Sequence, residues 1–204
     1  SIGKANRVMF PTMHDISPEN LEINLKGIAH VLNRGHEILI VSKPHLECIK
    51  AICDRFVAFK DKILFRFTIG SASDKVLKFW EPNAPNFAER LASLRHAFSC
   101  GFATSVSCEP MLDEYIELVV DAVYDYVTDA IWLGKMNDSV ARVSRNTDGD
   151  IVYIQAAKEV EAQQNDEFVK KLYDKFKDDP KIKWKESIKK VVGLELATVA
   201  GQDS

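Results

Sequence analysis

Five short apolar runs, each followed by a stretch with a helical beat, constrain this chain more than any other feature. Val8 to Phe10, Ile38 to Val41 ("ILIV"), Ile63 to Thr68 ("ILFRFT"), Ala103 to Val106 and Ala130 to Leu133 ("AIWL") read as strands. Between them, Leu21, Leu25, Ile28, Ala29 and Leu32 keep the spacing of one helix face. So do Leu46, Ile49, Ile52, Cys53 and Phe56, then Phe87, Leu91, Leu94 and Phe98, then Ile116, Val119, Val120, Val123 and Val127. Ser17-Pro18-Glu19-Asn20 reads as a helix cap with proline and an acid in the first turn, and Gly35 and Gly101 stand where a left-handed C-terminal cap belongs.

Strand and helix alternating at roughly 25 to 40 residues call for right-handed crossovers and a parallel sheet. The runs are continuously apolar rather than alternating, as in strands covered on both faces. The fold class is therefore α/β, either an open doubly wound sheet or a full or partial (β/α) barrel. No GxGxxG follows the first strand, which argues against a dinucleotide-binding Rossmann unit.

The character changes after Asn137. Residues 138–150 ("DSVARVSRNTDGD") form a polar connection, followed by the short apolar stretch Ile151 to Ile154. Phe168, Val169, Leu172, Tyr173 and Phe176 stripe one more helix, which Asp178-Asp179-Pro180 closes, and a short helix is expected around Trp184 to Val192. We expect a core over 1–137 and a mostly helical extension over 138–204, packed on it. Between 166 and 190 nine lysines face six acids, a surplus that reads as a solvated helix face rather than a nucleic-acid patch.

Net charge is -3 and the pI about 6.0, so no global basic field recruits nucleic acid or an anionic membrane. No apolar run approaches the roughly 20 residues of a membrane span. Cys48, Cys53, Cys100 and Cys108 show neither CxxC pairs nor zinc-ligand spacing, and without a secretion signal they point to reduced thiols in a cytoplasmic protein.

Polar residues collect where the apolar runs end. The exits read Thr12-Met13-His14-Asp15, Ser42-Lys43-Pro44, Thr68-Ile69-Gly70-Ser71, Ser107-Cys108-Glu109-Pro110 and Gly134-Lys135-Met136-Asn137. In a parallel α/β sheet these ends lie side by side and form the rim that binds ligands. His14 and Asp15 also raise a metal-dependent hydrolase, although neighbours on a strand point to opposite sides and the other histidines fall mostly in helices or turns. No GxSxG elbow supports serine hydrolase chemistry.

Taken in order, "VMFPTMHDISPEN", "ILIVSKPHLECI", "FRFTIGS", "FWEPNAPNFAERLASLRHAFSCGF", "SVSCEPMLDE" and "IWLGKMN" resemble the radical SAM superfamily, nearest to the subgroup of spore photoproduct lyase. The resemblance covers about residues 7 to 137 and continues into "NDEFVKKLYDKFKDDPKIKWKESIKK", with "EPNAP...RL" and "SKP" the most telling pieces. It implies a partial (β/α) barrel that binds S-adenosylmethionine across its strand ends, and a 4Fe–4S cluster that cleaves this cofactor to a radical. By the resemblance Lys43 holds the methionyl carboxylate, Thr68 a ribose hydroxyl, and His14, Asp15 and Ser42 further parts of the cofactor; Glu109 joins them through its place on the rim. No catalytic residue and no metal ligand is assigned in this chain.

Two departures accompany the likeness. The cluster motif CxxxCxxC is absent, and Thr12 stands where the lyase carries its hydrogen-donating cysteine. The expectation is a radical SAM portion whose first βα unit, with the cluster, would precede Ser1 or come from a partner chain. A cluster-free module that keeps only binding is the other expectation. An uncovered sheet edge would then favour homo-oligomers through strand pairing. Nucleic acid enters as a partner only by analogy with the subgroup, and a membrane is not expected.

Overall fold

The computed structural model describes residues 7–136 and 139–198. Ser1 to Asn6 and Asn137, the last residue of the fifth exit, lie outside them. The chain alternates strand and helix as expected. β1 (Arg7–Phe10), β2 (Glu37–Ser42), β3 (Ile63–Thr68), β4 (Ala103–Cys108), β5 (Ile131–Leu133) and β6 (Ile182–Trp184) form one sheet in the order 1-2-3-4-5-6. Every neighbouring pair is parallel, in registers such as Phe10↔Ile40, Ser42↔Phe67, Thr68↔Ser107 and Leu133↔Trp184. The order never reverses, so the sheet lacks the topological switch at which a doubly wound sheet sends helices to its second face.

The connecting helices are α1 (Leu21–Asn33), α2 (Leu46–Phe56), α3 (Asp74–Trp80), α4 (Phe87–Ser99), α5 (Ile116–Val123), α6 (Ser139–Asn146), α7 (Ile151–Gln163), α8 (Asp166–Phe176) and α9 (Glu186–Val192). The apolar stripes of α1, α2, α4, α5, α8 and α9 converge on one face of the sheet. Ile28, Leu32, Ile49, Ile52, Leu94, Val120, Val169 and Ile188 pack in a single core with Ile38, Ile40, Phe65, Phe67, Val106, Ile131 and Leu133. Phe65 meets Phe67 and Phe102 at ring-centre distances of 5.4 Å, and fully burying one such ring stabilises the fold by about 1.5–3 kcal/mol. Alternate strand residues face the other way. They include Arg66, Ser105, Ser107 and Trp132, with the Arg66 guanidinium 5.0 Å above the Trp132 ring. Gly35 (φ 83°) and Gly101 (φ 79°) are left-handed, as their places ahead of β2 and β4 required.

The sixth strand of the sheet comes from the stretch read as a mostly helical extension, which also carries α6 to α9. Ile182 and Trp184 are buried and the intervening Lys183 is exposed, so β6 alternates and does not present the continuous apolar run of the inner strands. Trp184 is the last residue of that strand, and α9 begins only at Glu186. The polar connection at 138–150 contains α6, and Ile151 to Ile154 opens α7. The lysine-rich face is paired in place, by Lys171 with Glu167, Lys177 with Asp174 and Lys190 with Glu186. At the other end, β1 pairs only with β2 among the described residues, and Met9 on it is 51% exposed. No described helix is long and apolar enough to cross a membrane.

Candidate functional site

Three strand exits are joined by a chain of charges. The turn after β1 carries Asp15, whose Oδ1 accepts from the Lys43 backbone N–H at 2.7 Å and from the Ser42 hydroxyl at 3.3 Å. Ser42 Oγ in turn accepts from the Ile16 N–H at 2.9 Å, so the exits of β1 and β2 are fixed to one another. Lys43 Nζ then stands 3.2 Å from Asp15 Oδ2 and 3.9 Å from Glu81 Oε1. Glu81 follows α3, in the connection leaving β3, and its Oε2 lies 2.7 Å from Nη1 of Arg90 on α4.

Arg90 is the anchor. Its side chain is 0% exposed, and an unpaired guanidinium there would cost several kcal/mol. Glu81 supplies the countercharge, the Pro85 carbonyl accepts from Nε at 2.8 Å, and the Thr68 carbonyl at the end of β3 accepts from Nη1 at 3.2 Å. The Glu81-Pro82-Asn83-Ala84-Pro85 segment is thereby held as one wall of a cleft of about 820 Å³. Asp15, Ser17, Glu19, Lys43, His45 and Trp80 line the rest. Asn86 starts the next helix by accepting from the Glu89 N–H at 2.9 Å, and Glu89 reaches back to the Leu46 N–H at 3.1 Å.

The lining of this cleft is acidic: Asp15, Glu19 and Glu81 against Lys43, with His45 beside them. Glu19 titrates below the usual carboxylate range, chiefly because the Ser17 hydroxyl hydrogen-bonds its charged form. Lys43 is not an isolated cation waiting for an anion; its charge is already shared between two carboxylates. A ligand that suits the cleft therefore brings positive charge for Asp15 and Glu81 as well as an anionic group for Lys43.

A second cleft, of about 490 Å³, adjoins the first through Trp80. It collects Glu109 and Pro110 after β4, Lys135 and Met136 after β5, and Ser139, Arg142 and Val143 of α6. Glu109 pairs with Lys185 at 3.4 Å. Two close approaches build this region. Gly70 O accepts from the Leu112 N–H and Gly134 O from the Met111 N–H, each at 2.9 Å, and a Cβ on Gly70 would sit 2.5 Å from the Pro110 carbonyl. Gln164 at the end of α7 ties the same loops, accepting from the Met136 N–H at 2.9 Å and donating to the Met111 carbonyl at 2.8 Å.

Of the residues singled out in the sequence, Asp15, Ser42 and Lys43 meet. Thr68 contributes its carbonyl to Arg90, and Glu109 belongs to the neighbouring cleft. His14 is exposed and turns to Asn24 Oδ1, 3.4 Å from its Nε2, while Asp15 is occupied by Lys43. Trp80, Glu81 and Arg90 were missed as site residues, although they lie within the segment that carried the family likeness.

The cysteines do not fit a 4Fe–4S cluster, which needs thiolates gathered at one point. Cys48 is buried on α2 and Cys108 is buried on β4, where desolvation pushes its thiol up. Among the described residues, a group of three potential metal ligands is formed only by Cys53, His96 and Cys100. Comparison of the chain with protein-family models, with curated proteins and with solved structures finds no match.

Proposed function

We propose that this chain is the S-adenosylmethionine-binding part of a radical SAM protein, a partial (β/α) barrel that holds the cofactor across its strand exits. The order of motifs supports it, together with an unreversed parallel sheet whose core-forming helices all pack on one face. A sheet wound in that sense curls toward a barrel and brings its exits around a common mouth. The observation that carries the reading is the Asp15–Lys43–Glu81 chain. S-adenosylmethionine has a sulfonium, an ammonium and a carboxylate, a net positive ligand with one anionic end. Three carboxylates and one lysine complement that pattern, with Lys43 facing the carboxylate and Asp15 and Glu81 facing the cationic groups.

The reading covers cofactor binding. Reductive cleavage of the cofactor in a complete protein calls for cluster thiolates other than these four cysteines. The same scatter of cysteines favours, as the second reading, a module that binds without radical chemistry.

Calorimetric titration with S-adenosylmethionine tests the proposal, with S-adenosylhomocysteine, which lacks the sulfonium charge, as comparator. The expected result is saturable binding of the methionine form, at least about tenfold weaker binding of the homocysteine form, and comparable weakening in Lys43→Ala, or ~1.4 kcal/mol in each case. Equal affinity of the parent and a folded Lys43→Ala variant, or no saturation, overturns it.

A further inference from the structure

Away from the strand exits, α2 and α4 bring together three side chains that no step of the proposed function uses. Cys53 lies in the last turn of α2, His96 in the last turn of α4, and Cys100 caps α4 one turn after His96. His96 and Cys100 are four apart and share one helix face, and α2 packs against α4. One sulfur, one ring nitrogen and a second sulfur thus converge, all within 4.8 Å of one another. The Cys100 sulfur is 3.6 Å from His96 Nε2.

The Cys100–His96 distance matches a coordination edge. For zinc with bonds of about 2.3 Å to sulfur and about 2.05 Å to nitrogen, tetrahedral angles place the two donors about 3.6 Å apart. Little movement is needed for an ion to bind between them. Two thiolates and an imidazole form a soft, borderline donor set that suits zinc and does not suit magnesium or calcium. The two thiolates would balance the divalent charge. The ends of both helices also favour a cation, since their unsatisfied carbonyls carry the negative end of the helix dipole. Cys53 is 2% exposed, whereas His96 and Cys100 are half-buried and leave a route from solvent.

We propose that Cys53, His96 and Cys100 form a zinc site of three protein ligands with a fourth position open to water. Both helices end next to the starts of β3 and β4, at the opposite end of the sheet from the acidic cleft. That placement makes the site a clamp between α2 and α4, separate from cofactor binding.

Cobalt(II), added to reduced and chelator-treated protein, reads the ligands directly. One equivalent should give the near-ultraviolet sulfur-to-cobalt charge-transfer band with tetrahedral visible bands, and zinc should displace it. Cys53→Ser and Cys100→Ser should lose most of the band, and His96→Gln should weaken cobalt binding by roughly tenfold or more. Cys48→Ser, on the same helix, should leave both unchanged. In the unaltered chain, where folding of a variant is not at issue, zinc should slow alkylation of Cys53 and Cys100 and raise the melting temperature without changing the titration with S-adenosylmethionine. No binding, binding without a thiolate band, or a band that survives all three substitutions overturns the proposal. Loss of two thiols to a Cys53–Cys100 disulfide, in a protein whose reduced form takes up no cobalt, does so as well.

Discussion

The two clefts at the strand exits share Trp80 and differ in almost everything else. The first, built by the exits of β1 to β3, sets Asp15, Glu19 and Glu81 against Lys43; the second, built by the exits of β4 and β5 with α6, sets Lys135 and Arg142 against Glu109. Their supports differ too. The first is held by a buried arginine and its countercharge, the second by backbone close approach at Gly70 and Gly134. Neighbouring sites of opposite charge can thus be built on one sheet by two unlike means, and the two should fail in different ways.

The largest expected effect tests the charged support. Arg90→Met removes the partner of Glu81 and frees the Pro85 and Thr68 carbonyls. Breaking a buried pair on one side costs about 3–5 kcal/mol, so equilibrium urea unfolding should show a loss of that order. Adding Glu81→Leu should recover part of it, because the stranded carboxylate is then gone. A loss under about 1 kcal/mol would mean that Arg90 is not the keystone its burial implies.

Next in size is the backbone support. In Gly70→Ala the new methyl meets the Pro110 carbonyl at 2.5 Å and Leu112 Cγ at 2.8 Å, and the Leu112 N–H bonded to Gly70 O keeps that loop from withdrawing. Overpacking of this kind costs about 1–3 kcal/mol. Gly134→Ala meets Lys185 Cβ at 2.9 Å and Glu109 Cγ at 3.0 Å, a looser approach than the 2.5 Å to backbone at Gly70, and should cost less. Thermal unfolding of both variants ranks them, and the reverse order would show that the exit of β4 is less firmly held than these contacts imply.

The two supports were unequally legible in the sequence. The strands were readable because β2 and β3 are nearly unbroken apolar runs, and the rim was readable because each run ends in polar residues. Asp15 and Lys43 were placed on that rim, but their pairing with each other was not read. Arg90 did not: one position from Leu91 on a helix, it looks solvated, and its burial depends on Glu81, which approaches from a different element. β6 was missed because it has only three residues with a lysine in the middle, next to a helix stripe that dominated the reading. The Cys53–His96–Cys100 group was invisible for a simpler reason. His96 and Cys100 are one turn apart, but Cys53 is distant in sequence and meets them only when α2 lies on α4, so ligand spacing alone could not announce the group.

A smaller effect concerns ligand preference. Asp15→Asn keeps an acceptor for the Lys43 N–H and removes one half-exposed negative charge from the first cleft, so S-adenosylmethionine should bind roughly tenfold more weakly, or ~1.4 kcal/mol. Lys135→Ala, in the second cleft, should leave that titration within about twofold. If both variants weaken binding alike, the ligand spans Trp80 and the two clefts form one site.

The smallest effect separates charge from shape at the acidic rim. Glu19 is fully exposed and its folded-state pKa is lowered, first by the Ser17 hydroxyl and then by its own backbone N–H. A carboxylate with a lowered folded pKa stabilises the fold above its unfolded pKa, and the contribution fades as pH falls through the folded value. Glu19→Gln should therefore melt slightly below the parent at about pH 7, and the two melting temperatures should converge below about pH 3, where both side chains are neutral. A gap that stays constant over this range would assign the role of Glu19 to its hydrogen bonds and not to its charge. The first cleft would then owe its acidity to Asp15 and Glu81 alone, the two carboxylates that hold Lys43.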